Sequence, residues 1–539
     1  MKFSSKLKKM AIPALALSVT LSSGSVFASG QSQTSGIPLS NDSYKNRYID
    51  VQLLGINDLH GQLDVTRKVG GKDVGRADYL AAYLKQRESE NKNTLLVHAG
   101  DVVGASSPVS ALQQDEPTIE LLNKMGFDVG TVGNHEFDEG VAEMMRLIDG
   151  GTHPETGDFS GADFPYVAAN VVDKESGEPI LPPYVVKKVN GMPIGFIGVA
   201  LSDTPSVVIP SAVAGVEFTD ETEAINKAAA ELKEQGVEAI VVLAHNPGTS
   251  QSDGSNASGE IADIAKNVDD EVDVMFGGHN HSYLNTEVDG KLLVQSYSYG
   301  TAFSDVDVQI DPRTKDIVTK KAEIVTTFHD GIEPDAEVKE MLKKYEAKVA
   351  PIINQAIGTA ETTLTASQNA AGESALGNFI ADAQRNAMKT DFAFMNPGGI
   401  RDDIEQGEVT WGELYNVQPF NNDLVKMTLT GQQIINLLNQ QWENGKTRML
   451  QISGLAYTWS NNQVNGVYLP DGTAINPTAE YTVTANSFLA GGGDGFTVFN
   501  EGENREVGPV DLDALVNYVK KQPQSFTAEI EGRIKQTSN

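Results

Sequence analysis

The 539-residue chain has no cysteine. That excludes a disulfide scaffold, a cysteine nucleophile and any zinc site built on thiolates. Basic residues are scarce: 41 Lys and Arg stand against 73 Asp and Glu, for a formal net charge of -32. Such a surface is a poor partner for a nucleic acid polymer or an anionic membrane, where Lys and Arg supply the affinity. Small anionic substrates are not excluded, because bound metal ions invert the local sign. Beyond the first 28 residues there is no long hydrophobic run, so no transmembrane anchor is expected. Histidine is rare as well, at eight, which makes the position of each informative. What is present is globular in composition, with 40% hydrophobic residues, 51 Gly and 22 Pro. The chain is too long for one hydrophobic core, so at least two domains are expected.

The first residues read as an address. Lys2, Lys6, Lys8 and Lys9 precede an apolar run from Met10 to Leu21, and Val26, Phe27 and Ala28 follow it. That order fits a secretion signal over residues 1–28, cleaved near Ala28, and the run is too short to span a bilayer. Residues 29–47, rich in Ser, Gln, Gly and Asn, read as a flexible leader. The mature protein is therefore expected outside the cell or at its surface.

From residue 48 to about 333, short apolar runs alternate with longer amphipathic ones. Residues 51–56, 94–97, 129–132, 194–199, 240–244 and 272–276 are strand-like; 76–87 and 221–235 read as helices. This alternation predicts an α/β domain with helices packed on a sheet. Over 334–358, Val338, Met341, Leu342, Tyr345, Val349 and Ile353 recur at spacings of three and four, predicting a linker helix that Pro351 kinks or ends. Residues 359–535 carry their own helix and strand signals and form a second domain.

Polar clusters follow the predicted strands in series: Asp58 and His60, Gly100 and Asp101, Gly133 to Glu136, His245, and Gly278 to His281. Ligands bind at the carboxyl ends of strands in open α/β sheets, because side chains from separate strands converge there. Five of the eight histidines fall in this set. Carboxylate, imidazole and amide oxygen without thiolate suit Zn, Mn, Co or Fe. A closed site needs only four ligands, so seven candidates suggest two divalent ions sharing a carboxylate. Such a pair, roughly 3.5–4 Å apart, generates a nucleophile from water and stabilises a transferring phosphoryl group.

The ordered series resembles the calcineurin-like metallophosphoesterases. More narrowly, residues 55–61 (Gly-Ile-Asn-Asp-Leu-His-Gly) and 133–138 (Gly-Asn-His-Glu-Phe-Asp) resemble the secreted bacterial 5′-nucleotidase/UDP-sugar hydrolase branch. So do Asn396-Pro-Gly-Gly-Ile-Arg-Asp402, Gln418-Pro-Phe-Asn421 and residues 486–495. The resemblance implies an N-terminal four-layer-type β-sandwich metallophosphoesterase domain flanked by helices over 48–333. It also implies a smaller C-terminal α/β substrate-binding domain over 359–535. It assigns one metal to Asp58, His60, His281 and a bridging Asp101, and the other to Asp101, Asn134, His245 and His279. The family more often has an amide where His281 stands. His135 and Asp138 resemble the family's catalytic dyad. Phe420 and Phe488 resemble its nucleobase clamp, and Asn396, Arg401, Asn422, Gly454 and Asp494 are the further substrate contacts it implies. The family's arginine ahead of a Glu-x-x-x-Gly-Asn stretch is replaced here by Gly372, which removes one cationic contact.

The expected activity is release of phosphate from nucleoside 5′-phosphates, AMP and also ADP or ATP. The alternatives are a 2′,3′-cyclic-nucleotide 2′-phosphodiesterase/3′-nucleotidase or a UDP-sugar hydrolase on the same scaffold, and, from another class, a non-catalytic surface binding protein. Of the remaining histidines, His98 is expected to be structural, and His153 and His329 solvated.

Overall fold

The computed structural model describes residues 48–523 and 525–537. The expected secretion signal, leader and cleavage point lie outside the described residues. No helix among the described residues is long and apolar enough to cross a membrane.

The N-terminal half is built on two six-stranded sheets. In the first, Ile49–Ile56, Thr94–Ala99, Val129–Thr131 and Tyr166–Val167 run parallel; Ala302–Ile310 pairs antiparallel with Ile49–Ile56, and Ile317–Thr326 antiparallel with Ala302–Ile310 at the edge. In the second, Met192–Val199, Ala239–Ala244, Val272–Phe276 and Lys291–Ser296 are parallel, and Tyr184–Val189 and Tyr283–Val288 close the edges antiparallel. The central strands are buried along their length, as the unbroken run Ala-Ile-Val-Val-Leu-Ala of Ala239–Ala244 shows. Strands covered on both faces lose the alternation of a half-exposed sheet.

Val51, Leu53, Val97 and Val129 of the first sheet pack between the sheets against Phe196, Val241, Leu243 and Phe276 of the second. On the outer face of the second sheet, Ile225, Ala228, Ala229 and Leu232 of helix Glu221–Glu234 bury their stripe. That helix starts at Asp220, whose side chain accepts from the Glu223 amide, an N-cap. Helices Ala77–Glu90 and Glu116–Met125 cover the first sheet. The expected four layers are thus present, in the order helices, sheet, sheet, helices.

The linker helix runs Ala336–Ile353, capped by Asp335, and Pro351 falls in its last turn. Pro351 therefore ends it rather than kinking it, since there is little helix left to bend. Its apolar face, Val338, Met341, Leu342, Tyr345 and Val349, belongs to the N-terminal core. The helix is a docked element of the first domain, not a free connector.

The C-terminal half has a five-stranded sheet in the order Gln451–Ser453, Phe392–Met395, Glu480–Asn486, Asp423–Thr430, Glu503–Val510. Helices Ala375–Met388, Trp411–Val417 and Asp511–Lys520 pack in one core and Gly431–Asn439 in another. The loops that leave Phe392–Met395 and Glu480–Asn486 face the first domain.

Asp511, which opens helix Asp511–Lys520, is buried; its carboxylate accepts from the Leu512 amide and from the Asn422 side chain. Burial pushes its pKa up to about 7 despite those bonds. A carboxyl raised in the folded state stabilises that state below its unfolded pKa, and the contribution is lost as pH rises through the folded value. Stability of the wild type should therefore fall between roughly pH 4 and pH 7 by more than that of Asp511→Asn. Urea midpoints across that range measure the difference.

Candidate active site

Five loops meet at the carboxyl edge of the two sheets. Three leave the first sheet after Ile56, Ala99 and Thr131; two leave the second after Ala244 and Phe276. Asp58 and His279, 221 residues apart, are joined where the His279 amide donates to both Asp58 oxygens at 3.0 and 3.1 Å. The His135 amide donates to Asp101 Oδ1 at 2.8 Å. Close packing of the loops needs glycine: a Cβ on Gly133 would stand 2.2 Å from Asp101 Oδ1.

All seven residues expected to ligate metal are brought together. His281 Nε2 lies 3.1 Å from His60 Nε2 and 3.5 Å from Asp58 Oδ1. His245 Nε2 lies 3.0 Å from Asp101 Oδ2, and His279 Nδ1 2.9 Å from Asn134 Oδ1. Asp58, His60 and His281 form one cluster with metal-ligand spacing, and Asp101, His245 and His279 another. Five of the seven, Asp58, His60, Asp101, His279 and His281, have positive φ. That backbone region costs a non-glycine residue about 1–2 kcal/mol, and such strain collects at functional sites.

The chemistry of the donors fits a divalent cation. His60 Nδ1 donates to the Gly104 carbonyl at 2.8 Å and His245 Nδ1 to that of Ala99 at 2.7 Å. Each bond fixes the tautomer and aims Nε2 at the cluster, as the outer partners of metal-bound histidines do. The His245 Nε2 atom is buried, and its approach to Asp101 Oδ2 lacks hydrogen-bond alignment. Burial lowers His60 well below its ordinary value, and burial with neighbouring cations takes His279 and His281 down to about 3, so all three are neutral lone-pair donors. Burial and the adjacent Asp101 charge push Asp58 up to about 7. Burial works against the ionised form of Asp101 too, but His245 and His135 hold its carboxyl well below the usual range. Burial likewise opposes protonation of His245, yet Asp101 raises it to about 10. The site is thus organised around the negative charge of Asp101.

Beside the cluster, His135 Nδ1 donates to Asp138 Oδ2 at 2.7 Å. Burial disfavours its charged form, but Asp138 and Asp101 together raise its pKa. Its ring lies 4.8 Å from that of His60 and stacks on Phe420 with centroids 5.7 Å apart.

Phe420 belongs to the second domain, and a cavity of about 770 Å³ lies between the two. Asn134, His135, Asp138 and His279 line it from one side; Asn396, Arg401, Phe420, Asn422, Phe488 and Asp494 line it from the other. Asn396 donates to Asp494 at 3.4 Å, and Asn422 Oδ1 accepts from the Ser487 hydroxyl. Gly454 is not among them. It follows strand Gln451–Ser453 with φ 84° and packs against the Asp391 carbonyl, as a turn glycine. Gly372 is in a left-handed conformation against Met449, which leaves no room for a side chain.

Sequence reasoning missed Glu136 and Arg448. Glu136 is buried and its carboxylate accepts from the amides of Asp101, Val102 and Gly133 at 2.9, 2.8 and 2.5 Å. It ties two ligand-bearing loops together; its position inside the Gly-Asn-His-Glu motif was the available signal. Arg448 lines the cavity and holds Asp494 at 3.3 Å, from a loop with no pattern of its own. Among the other histidines, His98 is a core residue between Phe164 and Tyr166. His329 is only partly exposed: it stacks on Tyr79 at 3.7 Å and donates to the Gly75 carbonyl. His153 sits in a small surface hairpin and accepts from the Glu155 amide.

The two sheets, the strand-end donors and the clustered imidazoles define a calcineurin-like phosphoesterase. The family model described as calcineurin-like phosphoesterase matches residues 51–283, and that described as 5′-nucleotidase, C-terminal domain, matches 356–501. The chain is 46% identical over 521 residues to "Endonuclease YhcR" of Bacillus subtilis, covering 94% of this chain and 43% of that protein. It is 38% identical to "Cell wall protein Lmo0130" of Listeria monocytogenes, covering 90% of this chain and 69% of the relative. The crystal structure of a 5′-nucleotidase precursor from Thermus thermophilus superposes with a TM-score of 0.79 at 29% identity, over 91% of this chain and all of that one. This chain belongs to the 5′-nucleotidase family of metallophosphoesterases, and it spans less than half the length of the Bacillus subtilis relative.

Glu136→Gln would turn an amide NH2 toward backbone N–H donors and loosen both loops. It should weaken divalent-ion binding by about 10–100-fold, the usual cost of losing an outer partner of a metal site. Metal titration followed by calorimetry reads the change.

Proposed function

We propose that the chain is a metal-dependent 5′-nucleotidase that converts nucleoside 5′-phosphates to nucleoside and inorganic phosphate, with AMP as the first substrate and ADP or ATP as further ones. One observation carries the reading: a single cavity is lined by His135, Asn134 and His279 of the first domain and by Arg401, Phe420 and Phe488 of the second. A phosphate at the histidine wall and a base at the aromatic wall then belong to one molecule.

In this reading Asp58, His60, His281 and Asp101 would hold one ion, and Asp101, Asn134, His245 and His279 the other. A bound pair of Zn, Mn, Co or Fe ions would supply an activated water and a positive clamp on the phosphoryl oxygens. His135, whose protonated form Asp138 and Asp101 favour, places its ring N–H against the phosphoryl group and stabilises the charge that develops there. Arg401 offers a planar fork to the phosphate oxygens. Phe420 and Phe488 supply stacking faces for the base, and Asn396, Asn422 and Asp494 supply polar partners for base and ribose. Water's oxygen ends on phosphorus, and the 5′ oxygen leaves with a proton as the nucleoside hydroxyl.

The Bacillus subtilis relative is called an endonuclease, but a net charge of -32 opposes a polyanionic strand here. Asp138 beside His135 favours the 5′-nucleotidase over the cyclic phosphodiesterase on the same scaffold, where the resemblance puts asparagine. The leader sequence and the name of the Listeria relative support action outside the cell.

Release of phosphate should be measured on AMP, ATP, UDP-glucose and 2′,3′-cyclic AMP, with and without chelator. AMP hydrolysis that chelation abolishes and added metal restores is expected; metal-independent release, or none from any nucleotide, sinks the reading. His135→Ala should lower kcat by about 10²–10⁴-fold. Phe420→Ala should raise KM about 5–150-fold, the range of one lost stacking contact.

A further inference from the structure

Arg401 reaches the cavity from the second domain, and what holds its guanidinium belongs to the first. Its Nη2 donates to the Tyr299 hydroxyl at 3.5 Å. Among the described residues that is its one side-chain hydrogen bond, which leaves the other N–H groups of the fork for a ligand. On its other side the guanidinium carbon is 5.8 Å from the Phe420 ring.

Tyr299 lies outside the cavity lining, in the connection between strands Lys291–Ser296 and Ala302–Ile310. Its ring centroid is 5.1 Å from that of His281 and 5.7 Å from that of His60. Arg67 covers the ring, with its guanidinium carbon 4.3 Å from the centroid, and also pairs with Asp402, next to Arg401, at 3.7 Å. The Tyr299 amide donates to the Asp58 carbonyl at 2.7 Å. Its φ is 60°, a conformation that an aromatic residue seldom adopts. The ring, cation–π and hydrogen-bond interactions of the side chain thus end either on an imidazole of the metal cluster or on the Arg67–Asp402–Arg401 group.

We propose that Tyr299 is a positioning residue for substrate: its hydroxyl sets the Arg401 guanidinium beside the His60 and His281 imidazoles, so that the bound phosphate is delivered to the metal cluster. The inference rests on the phosphate role given to Arg401 above. Pre-orienting the fork removes rotamer entropy that binding would otherwise cost. The same contact is made before and during reaction, so its loss shows in KM rather than kcat.

The test is AMP kinetics on metal-loaded wild type, Tyr299→Phe, Arg401→Ala and the double variant, with bound metal measured in each. Tyr299→Phe keeps the ring between the imidazoles and Arg67 and removes only the hydroxyl. It should raise KM about fivefold with kcat within about twofold, the scale of one ordinary hydrogen bond. In the Arg401→Ala background it should have no further effect. An unchanged KM, an equal rise without Arg401, or a loss of bound metal overturns the proposal. A wild type that hydrolyses no nucleotide instead overturns the phosphate reading, and this one with it. If Tyr299→Phe does not fold, Arg67→Gln carries the same test, with a KM rise expected and an unchanged KM overturning it.

Discussion

Asp101 is the charge around which the site is built. It is buried at the meeting point of the two sheets, beside a second buried carboxylate, Asp58, which its charge helps to raise. Burying two acids side by side is tolerated only where positive charge compensates. The surroundings respond to that requirement. His245 lies 3.0 Å from one Asp101 oxygen, the His135 amide donates to the other, and Glu136 gathers the Asp101 and Gly133 amides. The glycines and left-handed residues of these loops exist because side chains must converge on a volume of a few ångströms.

Rigid support makes the convergence possible. The loops leave strands whose residues are locked between two layers of packing, so each loop starts from a fixed point. Carbonyls of Ala99 and Gly104 then fix the ring nitrogens of His245 and His60. Reactive groups on loops, braced by buried sheets, obtain precision without sacrificing the open edge that a substrate needs.

The second domain adds what the metal edge lacks. The first domain offers histidines and acids to the cavity; Arg401, Arg448, Phe420 and Phe488 come from the second. The acidity of the whole chain is thus compatible with the phosphate site proposed for this cavity, since cations are concentrated where the two domains face each other. The stacking of His135 on Phe420 puts the groups proposed for phosphate and base within one ligand's length.

Much of this was legible in the sequence. Strand-end placement of Asp58, His60, Asp101, Asn134, His245, His279 and His281 follows from local hydrophobic runs, because a strand fixes where the next residue emerges. The α/β alternation and the linker helix follow from periodicity for the same reason. What depended on distant approach was not legible. The stacking of His329 on Tyr79, the docking of Ala336–Ile353 on the first domain and the hold of Arg448 on Asp494 join segments with no shared local pattern. Gly454 carries the left-handed turn expected of a glycine, but packing directs that turn away from the cavity. By itself the sequence determined which chemical groups stand at which strand ends. Only the tertiary structure decided that Asp58 and His279 touch, and that Tyr299 reaches Arg401, because those distances are set by how two sheets and two domains pack.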